Sequence, residues 1–150
     1  MFNSIVLHPA TVHIPIGVFF AACLLAAIAY RRRNQMLEST AHTLVIFSWF
    51  SLIPATITGT LDAVKHLASP VTHPDALFWI NLHAGSALVL WLVIWQAWQI
   101  RRRIIQNPCW DSAKYPAYLV RLGVGFVCLV LSGWSGGHMV YALHIGILPK

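Results

Sequence analysis

The side chains in this chain best suited to chemistry are its eight histidines. Imidazole nitrogen binds iron, copper and zinc alike. His13 and His83 each lie a short way inside a long apolar stretch. Gly17 follows His13 by one helical turn, and Ser86 and Ala87 follow His83. Small residues there leave room for a flat macrocycle, so the pair is a candidate for bis-imidazole ligation of one haem iron. His8 and His138 form a second candidate pair. A satisfied hydrogen bond to a neighbouring helix, or an interfacial position for His8, is the alternative in each case. No Cys-x-x-Cys-His is present, so a haem here would be haem b. Asp62 is the one acid at the edge of an apolar stretch. It could orient an imidazole N–H, accept a proton at a quinone site, or simply pair with Lys65. The cysteine count of three is odd and includes no Cys-x-x-Cys, which argues against a disulfide framework and a zinc knuckle. No nucleophile–base–acid set and no phosphate-binding loop is visible.

These residues need elements to hold them, and composition says which kind. Of 150 residues, 58% are hydrophobic and 9% charged. Ordinary soluble domains have about 45–50% and about 25%. The balance excludes disorder, a nucleic-acid-binding globule and a typical soluble enzyme. It indicates one domain in a bilayer, with lipid as its first partner. A spanning helix needs about 20 mostly apolar residues. Four stretches qualify, at approximately 8–30, 40–62, 76–100 and 120–141. No internal repeat at a fixed period is visible. The segments between the spans are short, which makes successive helices antiparallel. The expected fold is therefore all-α, an up-down-up-down four-helix integral membrane bundle with helix 1 diagonal to helix 3. Gly133 and Gly137 in the fourth span, at GxxxG spacing, allow close helix approach.

Basic residues favour the cytoplasmic side of short loops. Arg31, Arg32, Arg33, Arg101, Arg102, Arg103, Lys114 and Arg121 fall on one side, and only Lys65 and Lys150 on the other. Both termini are thus expected in the periplasm of a bacterial inner membrane. No Lys or Arg precedes residue 31, so span 1 reads as retained, not as a cleaved signal. With this topology seven histidines lie at or near the outer face, and only His42 at the inner one. His13 lies five residues into span 1 and His83 seven into span 3, which predicts similar depth. A polar side chain at membrane depth is costly unless it meets a partner or a cavity.

Three ordered motifs resemble the DUF2231 family of small bacterial membrane proteins. His8-Pro9-Ala10-Thr11-Val12-His13-Ile14-Pro15-Ile16 is similar to its N-terminal signature. Thr58-Gly59-Thr60-Leu61-Asp62 resembles its Thr-Gly-x-x-Asp element. Ser132-Gly133-Trp134-Ser135-Gly136-Gly137, followed by Val140-Tyr141, resembles its Gly-Trp-x-Gly-Gly ending. The family's function is not established. Related domains are joined to Rieske iron–sulfur or cytochrome c domains, so the resemblance implies a membrane redox setting. The leading expectation is a b-type cytochrome: an electron-transfer subunit more than a stand-alone enzyme. Its haem b would lie near the periplasmic face on His13 and His83, with His8 and His138 in reserve. A quinone, a partner redox protein or a homo-oligomer would complete the circuit. The alternatives are a copper, zinc or non-haem iron site on these histidines and Asp62, and a cofactor-free scaffold or assembly factor.

Overall fold

The computed structural model describes residues 7–67, 74–143 and 145. They form four helices, α1 (Leu7–Arg32), α2 (Gln35–Leu67), α3 (Ala76–Arg102) and α4 (Tyr115–Tyr141), with a single 3₁₀ turn at Cys109–Asp111. All four are long and apolar enough to cross a membrane. In lipid, every backbone N–H and C=O must find its partner within the protein, which a helix does by itself.

Local chemistry sets the helix ends. Arg33 ends α1 in the left-handed region at φ 51°. The next N–H, that of Asn34, reaches back to Ala29 O at 3.0 Å, closing a Schellman-type turn. Asn34 then caps α2 by accepting the Leu37 N–H on its Oδ1 at 3.0 Å. One asparagine thus ends one helix and starts the next. This cap explains why α2 begins at Gln35, five residues before the expected 40. In the same way α4 begins at Tyr115, ahead of the expected 120, with a proline in its first turn.

Buried positions recur every three or four residues. In α2 they are Glu38, Ala41, Val45, Ser48, Leu52 and Ala55. In α4 they include Tyr115, Tyr118, Leu122, Gly125, Leu129 and Ser132, beside Cys128 and Ser135. Alternating steps of three and four are the mark of an antiparallel or parallel helix seam. Ala41, Ser48, Ala55, Gly125 and Ser132 among them are small, which lets the helices approach there. At Gly125 a Cβ would come within 2.7 Å of the Phe19 ring. The outward faces are equally apolar, with Phe20, Phe47, Ile57 and Leu88 exposed as lipid requires.

α1 packs closely on α2, and α3 on α4; looser α2–α3 and α1–α4 seams join the two hairpins. α1 and α3 therefore stand across the diagonal. One end of the bundle carries His8, His83 and His138. The opposite end carries Arg31–Arg33 and Arg101–Arg103, and we call these the histidine and arginine ends. At the arginine end Glu38, fully buried, accepts two bonds from Arg101, on Oε1 from Nε at 2.6 Å and on Oε2 from Nη2 at 2.7 Å. This fork joins the first turn of α2 to the last turn of α3, and so one hairpin to the other.

Candidate functional site

At the histidine end, His8 opens α1 and His83 lies two turns into α3. Their rings meet edge to face, with centroids 5.9 Å apart and planes at 85°. Both are half-buried. His8 Nδ1 lies 3.0 Å from Ala55 O in α2. His83 Nδ1 lies 2.9 Å from Ser132 O in α4. A carbonyl oxygen can only accept, so Nδ1 carries the proton in both rings. In a neutral imidazole that leaves Nε2 with its lone pair. A backbone carbonyl holding the other ring nitrogen is the usual support of a metal-bound histidine.

The neighbourhoods of the two rings match one another almost atom for atom. Thr11 Oγ1 donates to His8 O at 2.9 Å, and Ser86 Oγ donates to His83 O at 2.9 Å. Thr58 Oγ1 lies 3.4 Å from His8 Nδ1, and Ser135 Oγ lies 3.5 Å from His83 Nδ1. Each hydroxyl bonds back to its own helix, at Pro54 O and at Leu131 O, both at 2.9 Å. Each ring lies against a glycine. A Cβ on Gly59 would fall 2.7 Å from His8 Cε1, and one on Gly136 3.0 Å from His83 Cε1. Helix α3 repeats α1 at an offset of 75 (8 to 83, 11 to 86), and α4 repeats α2 at an offset of 77 (55 to 132, 58 to 135, 59 to 136). The six buried positions of α2 named above all fall, at that same offset of 77, on six of the eight buried positions of α4. The two hairpins are thus related by an approximate two-fold axis along the bundle, and the imidazoles meet beside it. The correspondence is one of positions and not of letters. Thr stands for Ser and Ala for Ser, and the two offsets differ, so a fixed-period search of the letters misses it.

The structure does not pair His13 with His83. His13 lies two residues from buried Pro15, about 200° round the helix, and is exposed on the outer face. It sits five residues below His8, about 8 Å. Nor does His138 join His8. Its ring stacks on Trp79 at 3.9 Å and 27°, beside Trp134. Asp62 faces Lys65 at 3.8 Å, one turn on in its own helix. His42 lies at the arginine end, 6.2 Å from the Tyr118 ring. The His66 side chain, His73 and His144 lie outside the described residues. Sequence reading passed over Thr58, Gly59, Ser135 and Gly136 as ring supports. It also passed over Glu38–Arg101. The signal for the former was present in two of the motifs, as a Thr or Ser followed by Gly near the end of an even-numbered span.

Among the described residues, what converges here is two imidazoles and no third ligand. Among the described residues no group of three His, Cys, Asp or Glu side chains is placed to hold a metal ion. The fold and this pair define a four-helix membrane protein with a symmetric two-histidine centre. The DUF2231 family model, described as a predicted membrane protein, matches residues 4–149, and the chain belongs to that family. No curated protein and no solved structure matches the chain.

Proposed function

We propose that this protein is a b-type cytochrome subunit of the bacterial cytoplasmic membrane, with His8 and His83 as the two axial ligands of one haem. The carrying observation is the close, carbonyl-anchored imidazole pair from diagonal helices, with centroids 5.9 Å apart. Each ring has its Nδ1 held by a carbonyl and its Nε2 left as a potential ligand, and iron accepts imidazole nitrogen. A bare structural zinc needs four protein ligands, and this site offers two. A porphyrin brings four nitrogens of its own and leaves two axial places. Packing agrees with a bound group. The main core cluster lies below the pair, and its uppermost members on α2, α3 and α4 are Leu52, Leu90 and Leu129. Each lies seven residues below Gly59, His83 and Gly136 respectively, about 10 Å. Within that layer the interior side chains on these three helices are small: Ala55, Ser86, Ala87, Ser132 and Ser135.

When bound, the haem supplies one-electron chemistry. The chain's own residues do the rest. Ala55 O and Ser132 O hold both Nδ1 protons and so aim both lone pairs. Gly59 and Gly136 let the rings sit against the helices. Trp79, one turn before His83 in α3, stacks on His138 of α4. The basic residues of the arginine end support a cytoplasmic placement for that end, and hence a site near the periplasmic face. There it would exchange electrons with a periplasmic donor and with a quinone or a partner redox subunit.

The test is an absorption spectrum of detergent-purified protein from haem-replete cells, oxidised and then dithionite-reduced, with a pyridine haemochrome assay. A near-stoichiometric Soret band is expected. His8→Ala and His83→Ala should each abolish it, and His13→Ala should leave it intact. A colourless protein overturns the reading. If elemental analysis of that sample finds stoichiometric copper, zinc or iron, the pair serves a bare ion instead.

A further inference from the structure

Two features of the arginine end play no part in the histidine centre. Gln96 and Gln99 lie one turn apart in α3, within a membrane span. Arg121 lies in α4, six residues past the helix start, about 9 Å. An arginine at such depth normally extends its side chain back to the interface. Here Arg121 Nε donates to Gln96 Oε1 at 3.1 Å, which keeps the guanidinium against α3. It forms one wall of a groove of about 330 Å³, lined by Trp95, Gln96, Gln99, Ile100, Arg103 and Arg121. The groove opens to the outside of the bundle. It contains two guanidinium groups and two amides, and no carboxylate lines it. Beyond the bond to Gln96, neither the remaining side-chain donors of Arg121 nor the side chains of Arg103 and Gln99 have a hydrogen-bond partner among the described residues.

Depth says what would fill it. α3 is 27 residues long, about 40 Å against a hydrocarbon layer of about 30 Å. The last few residues of α3 therefore stand among the headgroups. Arg103 meets that layer, and Gln96 and Arg121 sit just inside it. A soluble anion would have to leave water to reach Arg121. A phospholipid phosphate lies at that depth already, and guanidinium binds phosphate oxygens in a two-pronged fashion. Trp95, the α3 lining residue farthest from the arginine end, gives the groove an apolar edge for an acyl chain. Trp95 is 44% exposed, which suits that contact.

We propose that the groove between α3 and α4 is a specific binding site for one anionic phospholipid. Its phosphate is held by Arg103 and Arg121, its headgroup by the Gln99 amide, and its chain by Trp95. This proposal does not depend on the histidine centre.

The full chain, in mixed micelles of equimolar phosphatidylglycerol and phosphatidylcholine, is measured by native mass spectrometry. Two cations at an anionic surface correspond to a preference of about thirty-fold. We expect one retained phosphatidylglycerol with at least about tenfold preference. Arg103→Gln with Arg121→Gln should remove the preference. Gln99→Leu, which leaves every charge in place, should reduce it. Arg31→Gln with Arg32→Gln, which removes the same charge from α1, should leave it unchanged. Helicity measured by circular dichroism keeps a folding failure distinct from a lost site. The proposal is overturned by equal retention of both lipids. It is also overturned by an Arg31/Arg32 effect as large as the Arg103/Arg121 effect, which would indicate diffuse charge, or by competition from inorganic phosphate, which would indicate a free-anion site.

Discussion

The two imidazoles differ in how tightly their glycines confine them. The Gly59 contact is closer than van der Waals packing tolerates once a Cβ is added, at 2.7 Å; that at Gly136 is 3.0 Å. Gly59→Ala should therefore displace His8 and lower haem stoichiometry well below wild type. Gly136→Ala should do so less. A larger loss at Gly136 in the haemochrome assay would contradict this ordering. Cys109 makes a separate prediction, outside the spans. Burial pushes its thiol up to about 11 from an ordinary 9.0. The folded state thus holds the proton more tightly than the unfolded chain. The associated stability is complete below pH 9 and falls away as pH rises toward 11. Maleimide labelling of Cys109 in folded protein should be slow at pH 8 and accelerate up to about pH 11. Rapid labelling at pH 8 would contradict it.

Helix ends and helix seams were legible to different degrees. The four spans read directly from runs of apolar residues, because the bilayer demands length and apolarity from every helix alike. The same uniformity hid helix rotation. Lipid-facing and core-facing residues are both apolar, so the letters around His8 and His13 do not say which points inward. That choice rests on the buried series through Pro15, Phe19, Ala22 and Ala26, which packing alone reveals. The α1–α2 turn depends on Asn34. Losing its Oδ1 bond to the Leu37 N–H should cost about 1 kcal/mol. Asn34→Ala should thus lower the denaturation midpoint modestly, while Asn34→Asp should retain most of the stability. Equal losses for the two variants in a chemical denaturation series would show that the cap contributes nothing.

For the whole molecule, the approximate two-fold relation holds at one end and breaks at the other. His8 and His83 are counterparts, whereas Ala26 stands opposite Arg101, and Glu38 opposite Tyr115, at the offsets of 75 and 77. The symmetric end brings two matched imidazoles together. The asymmetric end joins the hairpins through a single buried fork. Removing one partner leaves a buried charge and should cost about 3–5 kcal/mol. Arg101→Met is therefore expected to destabilise strongly. Glu38→Met with Arg101→Met should recover much of the loss, because apolar pairs often replace buried ion pairs without penalty. A double variant no more stable than Arg101→Met would show that the fork has a role apolar contact does not replace.

The sequence by itself determined that the chain crosses a membrane four times, how its helices alternate, and which residue type is available to bind a metal. Those properties are one-dimensional: they depend on apolar length, loop length and composition. Only the tertiary structure decided that His8 and not His13 meets His83, that two hairpins repeat one another, and that Glu38 reaches Arg101. Each of these depends on how helices rotate and which seams close. Rotation is set by small residues fitting against a neighbour, a relation between segments far apart in the chain.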